Sequence, residues 1–136
     1  MKDYHHRIQY YETDKMGVTH HSNYVRIMEE ARIDFLEQIG WSYDKFEEIG
    51  VISPVINIDC NFKKTTTYPD DIYVKVTVQK VSMCKLVLGY TFISNDEVVF
   101  TATSSHCFID MDGKPVIAAE RFPGLFADLK KLCETK

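Results

Sequence analysis

The chain has 136 residues, 45% of them hydrophobic and 26% charged, enough apolar material for a core without disulfide or metal staples and a length that suits one domain, residues 1–136. A formal net charge of -4 speaks against a nucleic-acid binder, which needs Lys and Arg in excess on one face. Apolar runs such as Val98-Val99-Phe100 are far too short to span a bilayer, and residues 1–6 lack the apolar centre of a signal peptide, so a cytoplasmic protein is expected.

In chain order, residues 4–12 are rich in Tyr, Ile and His and predict a first strand, which Thr13-Asp14-Lys15-Met16-Gly17 ends with turn formers. From Tyr24 the positions Tyr24, Ile27, Met28, Ala31, Phe35 and Ile39 recur at three and four residues, which lines one face of a helix stopped by Gly40. Either of Ser22 and Asn23 can cap its start by accepting a hydrogen bond from a first-turn amide. A second helical piece over residues 42–49 closes at Gly50. The text then turns β-branched and aromatic, and strands are predicted over residues 52–62, 72–81, 86–94 and 98–110, with tight turns at Asn95-Asp96 and Asp112-Gly113. Pro54 makes the first of these an edge strand or a late starter. Pro123 opens a terminal helix through Leu125, Phe126, Leu129 and Leu132.

The fold class is therefore α+β: strand, long helix, then strands pairing antiparallel through short turns, the helix lying across the concave face of one curved sheet. Cys60, Cys84, Cys107 and Cys133 form no CxxC pair and are expected to be reduced, mostly buried small hydrophobes.

The segment Tyr10-Tyr11-Glu12-Thr13-Asp14-Lys15-Met16-Gly17-Val18-Thr19-His20-His21-Ser22-Asn23-Tyr24 resembles the signature of the 4-hydroxybenzoyl-CoA thioesterase family of hot-dog folds, including the acyl-CoA thioesterases associated with the Tol-Pal system. Glu29-Glu30-Ala31-Arg32 resembles that family's helix text, Phe62-Lys63-Lys64 to Asp70-Asp71-Ile72 a strand-to-strand turn, and Asp112-Gly113-Lys114-Pro115 its last hairpin. The resemblance implies a hot-dog fold, hydrolysis of an acyl-CoA to free acid and CoA without a cofactor, and Asp14 as the catalytic carboxylate. It also implies the His21 backbone amide as oxyanion donor and sheets paired edge to edge, each active site being built from two subunits of a homodimer or homotetramer. Two departures, Met16 where relatives have a second glycine and His20 where they often have Tyr, bear on acyl preference more than on activity.

Thioester hydrolysis needs a group to deliver water or attack the carbonyl, and donors for the charge that develops on oxygen. Asp14 supplies a carboxylate as general base or as nucleophile, and both stay open. A helix starting near Ser22 turns its unpaired amides and positive dipole end toward such an oxygen. Taken alone, Thr-Asp followed by Gly is also ordinary turn chemistry. Glu29 is the rival carboxylate, though Arg32 one turn on predicts an ion pair that holds the helix. Cys60, Cys84 and Cys107 rank below both carboxylates as nucleophiles, Cys60 and Cys84 having no His nearby in the sequence. His5, His6, His20 and His21 lack metal-ligand spacing, so no metal is expected.

Met16, Gly17, Val18 and Tyr24 are candidate acyl contacts, and Lys64, Lys80 and Lys85 are candidates for the CoA phosphates. A hydratase or dehydratase on the same fold pairs a histidine with a carboxylate, and residues 18–24 do not resemble that motif. A noncatalytic acyl-thioester binder is the remaining alternative, against which the presence of Asp14 stands.

Overall fold

A computed structural model describes residues 2–134. Its centre is a five-stranded antiparallel sheet in the order β1-β4-β5-β6-β3, formed by β1 (Tyr4–Arg7), β3 (Val55–Phe62), β4 (Asp71–Val81), β5 (Lys85–Ser94) and β6 (Glu97–Cys107). The long helix α1 (Ser22–Gln38) lies on one face, where Ile27, Met28, Ala31 and Phe35 meet Ile72, Val74, Leu88, Phe92 and Phe100 in one buried cluster. Alternation along the strands puts these residues inward. The same rule turns Asp59, Asn61, Thr77, Thr91, Thr101 and Thr103 to the opposite, polar face.

Helix α1 ends as its glycine predicts. Gly40 takes φ +87°, its amide donates to the Glu37 carbonyl, and Trp41 N–H reaches back to Leu36 O, the paired bonds of a Schellman ending. Gly50 (φ +71°) closes α2 (Tyr43–Glu48), its amide donating to the Glu47 carbonyl at 3.1 Å. Asn95 and Asp96 both adopt positive φ in the β5–β6 hairpin, the geometry of a type I′ turn. Helix α4 (Pro123–Glu134) starts at Pro123 and packs against β4.

Several expectations need correction. The first strand stops at Arg7, and a 3-10 turn occupies Tyr10–Glu12 because the Glu12 carboxylate folds back to accept the Gln9 amide at 2.7 Å. Residues 52–62 divide at Pro54 into β2 (Val51–Ile52) and the edge strand β3, so Pro54 marks both a late start and an edge. Residues 98–110 also divide, and β7 (Ile109–Asp110) leaves the main sheet to pair with β2. Strands β3 and β4 are neighbours in sequence but not in the sheet: β3 pairs with β6, and residues 63–70 carry the chain across to the far side. A short helix α3 (Ala118–Arg121) was not predicted. Nor does α1 cover the sheet alone, since Leu125 and Leu129 of α4 pack beside Leu86 and Leu88. All four cysteines are free, but Cys84 is exposed and the others only half-buried.

Candidate active site

Asp14 sits in a tight loop closed by an antiparallel bridge between Thr13 and Thr19. Its backbone closes the loop twice, donating to the Val18 carbonyl and accepting from Gly17 N–H, both at 2.9 Å, and Gly17 supplies the positive φ of +79° that the turn requires. The half-buried carboxylate accepts the Met16 amide through Oδ1 at 2.9 Å. That bond is the turn-capping contact expected of an ordinary loop aspartate. It also fixes the carboxylate's direction, and no described donor occupies Oδ2.

The loop is tied to the start of α1 through Glu12, whose backbone carbonyl accepts from both His20 N–H and Asn23 Nδ2, each at 2.9 Å. Neither Ser22 nor Asn23 caps the helix as expected. Residue His21 holds the cap position, Asn23 is spent on the Glu12 carbonyl, and the His20 ring accepts the Ser22 amide through Nδ1 at 3.2 Å. The His21 amide donates to no described group. It is thus a free donor in the first turn, where the helix's positive end lies.

Behind the loop, Thr66 is buried and joins three parts: its carbonyl accepts Thr19 N–H, and its hydroxyl bonds Thr19 Oγ1 at 2.7 Å and the Tyr24 hydroxyl at 2.9 Å. Thr67 adds a 2.6 Å bond to the Gly17 carbonyl. These threonines belong to the β3–β4 crossover. Only the run Thr65-Thr66-Thr67 marks them in the sequence, because no local pattern distinguishes a crossover from a short turn.

Glu12 is only 3% exposed, a burial that its place before a turn does not signal. Its carboxylate is held by His6 Nε2 at 2.9 and 3.2 Å, and His6 Nδ1 faces Glu30 at 3.5 Å. His5 pairs instead with Asp71.

The predicted contacts separate in space. Met16 and Gly17 are exposed, Val18 is half-buried, and Tyr24 is a core residue, packed between Phe62, Phe92 and Phe100. Burial raises its phenol above the ordinary value, against the Thr66 and Thr19 bonds. Lys64 lies just beyond Phe62 and pairs with Glu97 at 2.9 Å. Lys80 and Lys85 lie at the opposite end of the sheet. Phe92 packs on Tyr24, and Lys85 is seven residues before it on β5, roughly 23 Å away along a strand. Within one protomer the structure does not bring them to the Asp14 loop.

The expected Glu29–Arg32 ion pair is absent among the described residues. Glu29 is exposed, whereas Arg32 turns inward to donate through Nη1 to the Tyr90 hydroxyl at 3.3 Å. Tyr90 in turn bonds Ser104 at 2.6 Å, and Ser104 bonds His106 Nε2 at 2.7 Å. Burial, and then the Arg32 charge, push the His106 pKa down to about 4, so the ring is neutral at pH 7. Burial works against the Arg32 cation, but Tyr90 and Tyr43 outweigh it and raise its pKa.

Residues 8–131 match the family model of the thioesterase-like superfamily. The chain belongs to the thioesterase-like superfamily. It is 34% identical over 118 residues to a Bacillus subtilis (strain 168) protein named "Putative acyl-CoA thioesterase YneP", covering 85% of this chain and 86% of that one. It is 36% identical over 106 residues to an Aquifex aeolicus protein named "Putative esterase", covering 78% and 83%. Among solved structures, a DHNA-CoA thioesterase from Staphylococcus aureus superposes with a TM-score of 0.90 at 32% identity, covering 98% of this chain and 91% of that one. The thioesterase therefore has the hot-dog architecture expected of it, and it is a thioester hydrolase. No described helix is long and apolar enough to cross a membrane.

Proposed function

We propose that this thioesterase hydrolyses an acyl-CoA to the free acid and CoA, with Asp14 acting on the thioester carbonyl and the His21 amide receiving the negative charge on its oxygen. The observation that supports this reading most is a half-buried carboxylate, oriented by Met16 N–H, in the loop that leads into α1, and an unpaired His21 amide at the head of that helix, whose neighbours His20 and Asn23 both donate to the Glu12 carbonyl. One oxygen of Asp14 is engaged and the other is free, as either a general base or a nucleophile requires. The donor for the oxyanion is main chain, preset and needing no side-chain ordering. The resemblance to the 4-hydroxybenzoyl-CoA branch of the superfamily belongs to this reading.

The working unit is a two-fold dimer. Strand β3 is an edge whose Val55, Ile56, Ile58 and Phe62 are 41%, 53%, 38% and 55% exposed, and long apolar edges are rarely left unprotected. Antiparallel pairing of two β3 strands about their middle sets Val55 of one protomer opposite Phe62 of the other. Since Phe62 packs on Tyr24 in the first turn of α1, the arrangement carries Lys80 and Lys85 of one subunit toward the Asp14 loop of its partner. A cytoplasmic location completes the proposal.

Asp14→Asn keeps the Met16 hydrogen bond through its amide oxygen and removes the ionised group. Free-thiol release from a panel of acyl-CoA thioesters is expected to fall by about 10²- to 10⁴-fold with an unchanged oligomer in sedimentation. Undiminished turnover would overturn the assignment of Asp14.

A further inference from the structure

Arg32 lies half-buried on the inner side of α1, yet it forms no ion pair with any described carboxylate. A guanidinium carries five N–H donors, and desolvating one without partners is unfavourable. Its partners, the Tyr90 hydroxyl at 3.3 Å and the Tyr43 hydroxyl, are both neutral oxygens, and they leave several donors unused. Because Arg32 can only donate, the Tyr90 O–H is free to donate to Ser104, and the Ser104 O–H to His106 Nε2. A neutral His106 then carries its proton on Nδ1, for which no described acceptor exists.

The unused Arg32 donors border open space. A cleft of about 350 Å³ between α1, α2 and the chain entering β3 is lined by Arg32, Tyr43, Phe46, Val51 and Val55. A void of about 10 Å³, room for no more than one water, shares Arg32, Tyr43 and Phe46 with it and reaches His106. The inner polar groups are thus donors set in an apolar wall. The exposed Glu29 and Glu47 stand at the same cleft, two negative charges against one positive, which disfavours an anionic guest.

We propose that this cleft is the acyl pocket, and that Arg32, with His106 behind it, recognises a neutral oxygen acceptor, a hydroxyl or keto group, on the acyl chain remote from the thioester. The proposal deepens the thioesterase reading and rests on it. Arg32 is ten residues beyond Ser22 on α1, roughly 15 Å along the helix axis, and so is remote from its own Asp14 loop. The β3 two-fold removes that distance. Val55 lines the cleft and is set opposite the partner's helix start, so the pocket of one subunit serves the carboxylate of the other.

The test measures kcat/KM of the wild-type oligomer for hexanoyl-, 6-hydroxyhexanoyl- and adipoyl-CoA and for benzoyl-, 4-hydroxybenzoyl- and 4-carboxybenzoyl-CoA. The hydroxylated member of at least one series is expected to exceed its parent by about tenfold or more, as a hydrogen bond to a charged donor allows, with the carboxylated member below the parent. Arg32→Met is expected to reduce the hydroxyl-to-parent ratio to about two or less. A ratio taken within one protein is insensitive to general loss of activity, and the wild-type series stands even if the variant folds poorly. Co-expressed Asp14→Asn and Arg32→Met subunits, purified as mixed dimers through two tags, are expected to regain the wild-type ratio, because one of their two sites carries neither substitution. A wild-type ratio near one in both series, with active turnover, overturns this proposal alone, as does a ratio that survives Arg32→Met. A mixed dimer that keeps the Arg32→Met ratio overturns the placement across subunits. Absence of hydrolysis across all six thioesters would sink the thioesterase reading and this pocket with it.

Discussion

Glu12 and His106 are polar side chains carried inside the fold, and each has a consequence that can be measured. The Glu12 carboxylate is joined to His6 and to the Gln9 amide, so Glu12→Ala leaves both donors buried or half-buried without their acceptor. A loss of about 3 kcal/mol is expected in denaturant unfolding, the range for breaking a buried pair from one side. His106 has a pKa near 4 in the fold, against about 6.5 when unfolded. Between those values the unfolded state binds the extra proton, so stability is fully present above about pH 6.5 and declines as pH falls toward 4. The decline from this residue amounts to at most about 3 kcal/mol. Unfolding curves of wild type and His106→Gln at pH 7 and pH 4.5 check it: the wild type should lose more stability between the two. Neither residue announced itself in the sequence. A glutamate before a turn and a histidine in a strand look solvated until the three-dimensional neighbours are known.

At the scale of elements, periodicity and glycines located α1 well, because one apolar stripe and one positive-φ ending are local properties. Gly40→Ala forces a side chain into the left-handed region at the Schellman ending, and about 1 kcal/mol of lost stability is expected from thermal melts. The start of α1 was less legible. Ser22 and Asn23 are good caps by type, yet Asn23 is recruited by the Glu12 carbonyl eleven residues upstream, a partner no local rule contains. The strands were found approximately where β-branched and aromatic residues cluster, but their pairing was misjudged at β3 and β4. Adjacency in sequence favours pairing only as a tendency, and the crossover of residues 63–70 defeats it here. That same crossover delivers Thr66 and Thr67 behind the Asp14 loop.

For the molecule as a whole, the proposed dimer rests on the exposed β3 edge. Ile56→Lys combined with Ile58→Lys is expected to shift the protein from dimer to monomer in sedimentation and to abolish hydrolysis together with it, since charges on an edge strand block pairing. An active monomer would show that one chain suffices. The amino-acid order by itself determined the class of fold, the place of the loop, the helix after it and the carboxylate worth testing, because each rests on short-range chemistry: turn residues, a 3.6-residue stripe, a compact motif. Only the tertiary structure decided that Tyr24 faces the core, that Lys64 lies far from Lys80 and Lys85 within one chain, and that Arg32 leaves Glu29 for Tyr90 and an open cleft. Those facts depend on which strands become neighbours and which helix face is covered, and such long-range choices are made by burial of the whole apolar surface at once rather than by any one segment.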